Sequence, residues 1–116
     1  MSPQLVVADI ERAIQFYTKK LGFHVDFRYE DFYAGIIKDG HSIHLKSGNP
    51  SMQERKNKRE NEYLDIMFSV DKIESLYKEL SNKSADIVQP LRDMPYGKEF
   101  YISDPDGYII GFLEEV

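Results

Sequence analysis

Three histidines, twenty acidic residues and no cysteine set the chemistry open to this chain. Without thiols, a cysteine nucleophile, a thiolate metal site and a disulfide scaffold are excluded, and nothing argues against a reducing compartment. Imidazole and carboxylate groups are the first candidates for acid-base or metal-ligand chemistry. His44 lies inside the strand-like run Ser42-Ile43-His44-Leu45, whereas His24 and His41 have no such argument and read as surface residues. Asp65 lies in the run Tyr63 to Val70, where alternation puts Tyr63 and Met67 on its side of the strand.

The elements that must position these groups come from periodicity. Leu5-Val6-Val7-Ala8 reads as a short strand. Asp9 is an N-cap for a helix with Ile10, Ala13, Ile14, Tyr17 and Leu21 along one face, ended by Gly22. Phe23, Val25, Phe27 and Tyr29 then alternate with polar residues, and Phe32–Lys38 and His41–Lys46 form two further strands around the turn Asp39-Gly40. A second set follows: a strand over Tyr63–Val70, a helix capped by Asp71 with Ile73, Leu76, Tyr77 and Leu80 on its face, and strands at Asp86–Val88, Lys98–Ser103 and Tyr108–Glu114. The turn Asp104-Pro105-Asp106-Gly107 joins the last two, since proline presets φ, aspartate bonds nearby amides and glycine takes the left-handed position.

The pattern is an α+β fold of two βαβββ modules, at about 1–47 and 62–116, that together build a curved mixed sheet with helices on its outer face. The stretch 48–61, with Gly48, Asn49, Pro50 and a run of mixed charge, reads as a solvated connection with room for a helical turn, either a lid or a passive linker. At 116 residues, 41% hydrophobic and 13% aromatic, the chain is expected to form a single domain, 1–116. A net charge of −5 argues against a nucleic-acid partner. With no basic start before an apolar run and no segment long enough to span a membrane, the expectation is a soluble, cytoplasmic protein without a membrane partner.

Val7-Ala8-Asp9, Phe16-Tyr17, Leu21-Gly22-Phe23, Phe68-Ser69-Val70-Asp71 and Asp104-Pro105-Asp106-Gly107, taken in order, resemble the vicinal oxygen chelate superfamily over essentially the whole chain. That superfamily includes glyoxalase I, bleomycin and fosfomycin resistance proteins and extradiol dioxygenases. The resemblance implies a concave sheet face where active members hold a divalent metal with residues from the first, fourth, fifth and eighth strands. The corresponding places are Ser2, His44, Asp65 and Gly111, a degenerate set, because a neutral hydroxyl is a poor donor and glycine has no side chain. The expectation is no metal and no cofactor.

If His44 and Asp65 face one another, three readings stay open: a charged pair that binds substrate, an acid and base, or a polar pair on the floor of a groove. The resemblance also turns Glu99 and Tyr101 inward, and if Gly111 faces the groove so do Ile109 and Leu113. Pro95-Tyr96-Gly97-Lys98-Glu99-Phe100 is similar to a loop and strand of the bleomycin resistance proteins, with Tyr96 where tryptophan is usual. This implies metal-free sequestration of a small-molecule ligand by a homodimer, with Pro3 a hinge for strand exchange. The ligand-binding residues would be His44, Tyr63, Asp65, Met67, Tyr96, Glu99, Tyr101 and Gly111. With Asp65 and Glu99 acidic, and Lys46 the one inward cation evident, a cationic aromatic ligand is expected. The other class is a lyase, isomerase or dioxygenase-type enzyme with a reduced metal site.

Overall fold

The computed structural model describes residues 3–61 and 63–116. Two compact units, Met1–Ser51 and Met52–Val116, each build a four-stranded sheet. The first holds β1 (Gln4–Val7), α1 (Ile10–Lys19), β2 (His24–Tyr29), β3 (Tyr33–Lys38) and β4 (His41–Ser47). The second holds α2 (Met52–Asn61), β5 (Ile66–Ser69), α3 (Ile73–Asn82), β6 (Asp86–Met94), β7 (Gly97–Ser103) and β8 (Ile109–Glu115). The orders β1-β4-β3-β2 and β5-β8-β7-β6 are the same topology, each with its first strand parallel to its last. The chain is thus an α+β protein of two βαβββ modules. Among the described residues, no helix is long and apolar enough to cross a membrane.

The elements follow from the local signals. Asp9 accepts the Arg12 amide at 3.1 Å, and α1 buries Ile10, Ala13, Ile14, Phe16 and Tyr17. Asp39 and Gly40 both adopt positive φ, the geometry of a two-residue hairpin turn. At the last hairpin Asp104 accepts from the amides of Asp106 and Tyr108, and Gly107 sits at φ +89°. Phe68, Phe112 and Phe100 stack in a row across β5, β8 and β7, and Tyr77 of α3 meets Phe100 edge to face at 5.0 Å. This row turns the opposite face of the second sheet to Met67, Gly111, Tyr101, Leu113 and Glu99, cross-strand neighbours by register.

Three expectations need correction. Asp71 does not cap α3: its N-cap position is Lys72 in the left-handed region, and the Ile73 amide instead donates to Glu114 Oε1 at 2.7 Å. A carboxylate at a helix N-terminus is favoured by both the free amide and the dipole, and this one arrives from β8. Glu114→Ala should therefore destabilise the fold by about 1 kcal/mol in urea unfolding, whereas Asp71→Ala should change it little. The fifth strand starts at Ile66, so Tyr63 and Asp65 precede it, and the Asp65 amide bonds the Ile109 carbonyl at 2.8 Å. The sixth runs on to Met94 through Pro90, which an edge strand with bulges tolerates. The stretch 48–61 contains the ten-residue helix α2.

Candidate functional site

Asp65 stands on the loop before β5, and its side chain is only 8% exposed. Oδ2 accepts from Arg55 Nη1 at 2.9 Å and from the Ile109 amide at 2.8 Å, while Oδ1 accepts from Lys58 Nζ at 2.6 Å. Arg55 and Lys58 are three residues apart on α2 and so share a face. The Arg55 guanidinium is itself buried and lies 4.3 Å from the centre of the Tyr108 ring. One turn further, Arg59 grips Asp86 with two bonds of 2.7 and 2.9 Å. A helix that is polar nearly all round is thus held to its unit by ionic contacts.

Glu99 is 1% exposed and accepts four bonds. Arg92 Nε and Nη2 reach Oε2 at 2.8 and 2.6 Å, Tyr101 donates to Oε2 at 3.0 Å, and Tyr96 donates to Oε1 at 2.7 Å. Burial pushes its carboxyl pKa up, but the bonds from Tyr96, Arg92 and Tyr101 outweigh that and hold it below the usual range. Tyr101 is buried with it, whereas Tyr96 keeps an exposed ring.

These contacts correct the expectation of an acidic wall. Its two carboxylates are neutralised by Arg55, Lys58 and Arg92, none of which the sequence placed there, while Lys46 is exposed on the first sheet. Gly111 is also not an empty place. A Cβ there would come within 3.0 Å of Leu64 Cδ2 and 3.1 Å of Met67 Sδ, so apolar side chains occupy the space a carboxylate ligand would need.

In the first unit, His44 on β4 is half-buried, with Nδ1 2.8 Å from the Tyr33 hydroxyl. Phe27 contacts both: it lies parallel to Tyr33 at 6.0 Å and meets His44 edge to face at 5.3 Å. Phe27 can lie flat only because its neighbour is Gly35, where a Cβ would stand 2.2 Å from the Phe27 ring. Sequence reasoning found His44 but missed Phe27 and Tyr33. The β3–β4 register, Gly35 opposite His44 and Tyr33 two residues away, was the available signal.

The metal places of the resemblance do not fit a metal. Ser2 lies outside the described residues. Asp65 has both oxygens engaged by cations and Gly111 is roofed by Leu64 and Met67, so of the three described places only His44 keeps a nitrogen for a metal. Among the described residues, no three His, Cys, Asp or Glu side chains gather as a metal site requires. A shallow hollow of about 260 Å³ lined by Ser69, Val70, Asp71, Leu113, Glu114 and Glu115 includes none of the expected ligand residues. It adjoins the carboxylate that caps α3, and we give it no part in the site.

A sequence model of the Glyoxalase/Bleomycin resistance protein/Dioxygenase superfamily matches residues 2–112, and the chain belongs to that superfamily. Solved structures share its fold. The genomically encoded fosfomycin resistance protein FosX from Listeria monocytogenes has a TM-score of 0.81 at 17% identity, over 100% of this chain and 92% of that one. The bleomycin-binding protein from bleomycin-producing Streptomyces verticillus, complexed with copper(II)-bleomycin, has 0.70 at 19%, over 100% and 95%. TnmS3, an antibiotic binding protein from Streptomyces sp. CB03234, has 0.72 at 17%, over 100% and 96%. No curated protein is similar enough in sequence to count as a relative.

Proposed function

We propose that this protein binds and sequesters a small planar organic molecule without metal and without chemical change, in the manner of an antibiotic-binding protein. The observation that carries this reading is the state of its two inward carboxylates. Asp65 accepts from three donors and Glu99 accepts four bonds, so neither is available as a general base or a metal ligand. What remains for contact is, in the second unit, the aromatic and thioether surface of the exposed Tyr63, Met67 and Tyr96, and, in the first unit taken by itself, half-buried His44 with Phe27 beside it. Such groups hold flat molecules by stacking and dispersion. Because the acids are paired, the ligand need not be a cation. The likeness to antibiotic-binding folds supports the same class of activity.

An enzymatic reading would use His44 and Asp65 as acid and base, and the three donors on Asp65 argue against it. The test is a thermal-shift screen of chelator-treated protein against aromatic antibiotics that do not themselves chelate metal. A ligand present at a hundred times its Kd should stabilise the fold by about 2.7 kcal/mol, with the same shift when zinc, nickel or manganese is added. Stabilisation that appears only with metal would refute the proposal.

A further inference from the structure

The Tyr33 hydroxyl stands between two partners, and its single hydrogen decides the state of His44. Gln4 Nε2 donates to the Tyr33 oxygen at 3.3 Å, and on the other side the oxygen lies 2.8 Å from His44 Nδ1. A phenol oxygen that already accepts one bond can still donate its own hydrogen. With that hydrogen given to Nδ1, the neutral imidazole carries its proton on Nε2. No hydrogen-bond partner for Nε2 occurs among the described residues. Beside this donor lies an apolar plate, Phe27 flattened across Gly35 and parallel to Tyr33 within 16°.

We infer that this row is a site for a planar aromatic molecule bearing a neutral or anionic hydrogen-bond acceptor, such as a ring ketone. Phe27 supplies the floor, the His44 Nε2–H supplies the donor, and Gln4 and Tyr33 are positioning residues that fix the tautomer. The inference rests on the binding reading above and deepens it by naming the ligand class. It also reverses the cation preference expected from sequence: an imidazole locked as a donor offers no lone pair to an ammonium group.

Isotope-labelled histidine NMR on the whole chain reads the tautomer directly. His44 should carry its proton on Nε2 in essentially every molecule, and Tyr33→Phe, which keeps the ring but removes the hydroxyl, should let a measurable Nδ1–H population appear. Titration with fluorenone and fluorene, which differ in one carbonyl, then reads the consequence. Fluorenone should bind about fivefold tighter to the native protein, and both proflavine, a flat cation, and fluorene should bind more weakly. In Tyr33→Phe the preference for fluorenone should shrink to less than about twofold, while fluorene affinity stays the same. A proton on Nδ1, or equal affinity for fluorenone and fluorene, overturns the inference and leaves the broader binding reading in place. If none of the three probes binds while an antibiotic does, this row is not the site. If the antibiotic screen is empty as well, the binding reading itself fails.

Discussion

Asp65→Asn is expected to lower folding stability by about 2 kcal/mol, because the buried Arg55 guanidinium loses the buried carboxylate on Nη1 and keeps only the exposed Glu54, 3.0 Å from Nη2. The Arg55 side chain is 9% exposed and lies against Tyr108, so it cannot turn to water without giving up its packing. Asparagine offers one acceptor and one donor where three donors converge, and its amide would face Arg55 or Lys58 hydrogen to hydrogen. The loss should concentrate on α2. Its only buried side chain is Arg55, so hydrogen exchange over 52–61 should quicken before the sheet unfolds. Replacing Arg55 by Met as well should recover part of the loss, since removing both charges costs less than stranding one. Urea unfolding together with hydrogen exchange checks both points. A change below about 0.5 kcal/mol would place the pair with ordinary surface ion pairs.

Glu99→Gln should cost about 2 kcal/mol at neutral pH, or roughly 8 °C in Tm for a chain of this size. The figure is no larger than that for Asp65 because Arg92 remains one-third exposed and can be hydrated. The pH dependence has a fixed sign. The folded state holds the Glu99 carboxyl below its usual range, the donors from Tyr96, Arg92 and Tyr101 prevailing over burial. Its stabilisation is therefore complete above the ordinary glutamate pKa of about 4.3 and is lost as pH falls through the lower folded value. The difference between native protein and Glu99→Gln should be constant from about pH 6 to 8 and shrink below about pH 4. A gap that widens in acid would contradict the assignment of the carboxylate as the stabilising form.

Much of the fold was legible because its signals are local. Asp9 bonds an amide three residues on, Asp104 bonds amides two and four residues on, and the strands alternate. The site was less legible because its partners are distant in sequence. The cap of α3 comes from Glu114, 41 residues beyond Ile73, and no window around Asp71 contains it. Arg92 meets Glu99 because the sixth strand continues through Pro90, beyond the expected stretch Asp86–Val88. Arg55 and Lys58 sat in a charge run that resembles a solvated linker. Their spacing already placed them on one helical face, but nothing in that run named Asp65 as what the face would meet. The vacancy at Gly111 was visible, whereas its filling by Leu64 and Met67 depends on side-chain packing that no strand pattern specifies. Gly111→Glu alone would thus have to displace two apolar side chains before it could offer a ligand.

Binding without metal or reaction shows in native mass spectrometry of chelator-treated protein with aromatic antibiotics that do not themselves chelate metal. The expected complex has the mass of the protein plus one or more intact ligands, unchanged by added divalent metal and by prolonged incubation. A complex that forms only with a metal ion, or a released ligand whose mass has changed, would contradict that expectation.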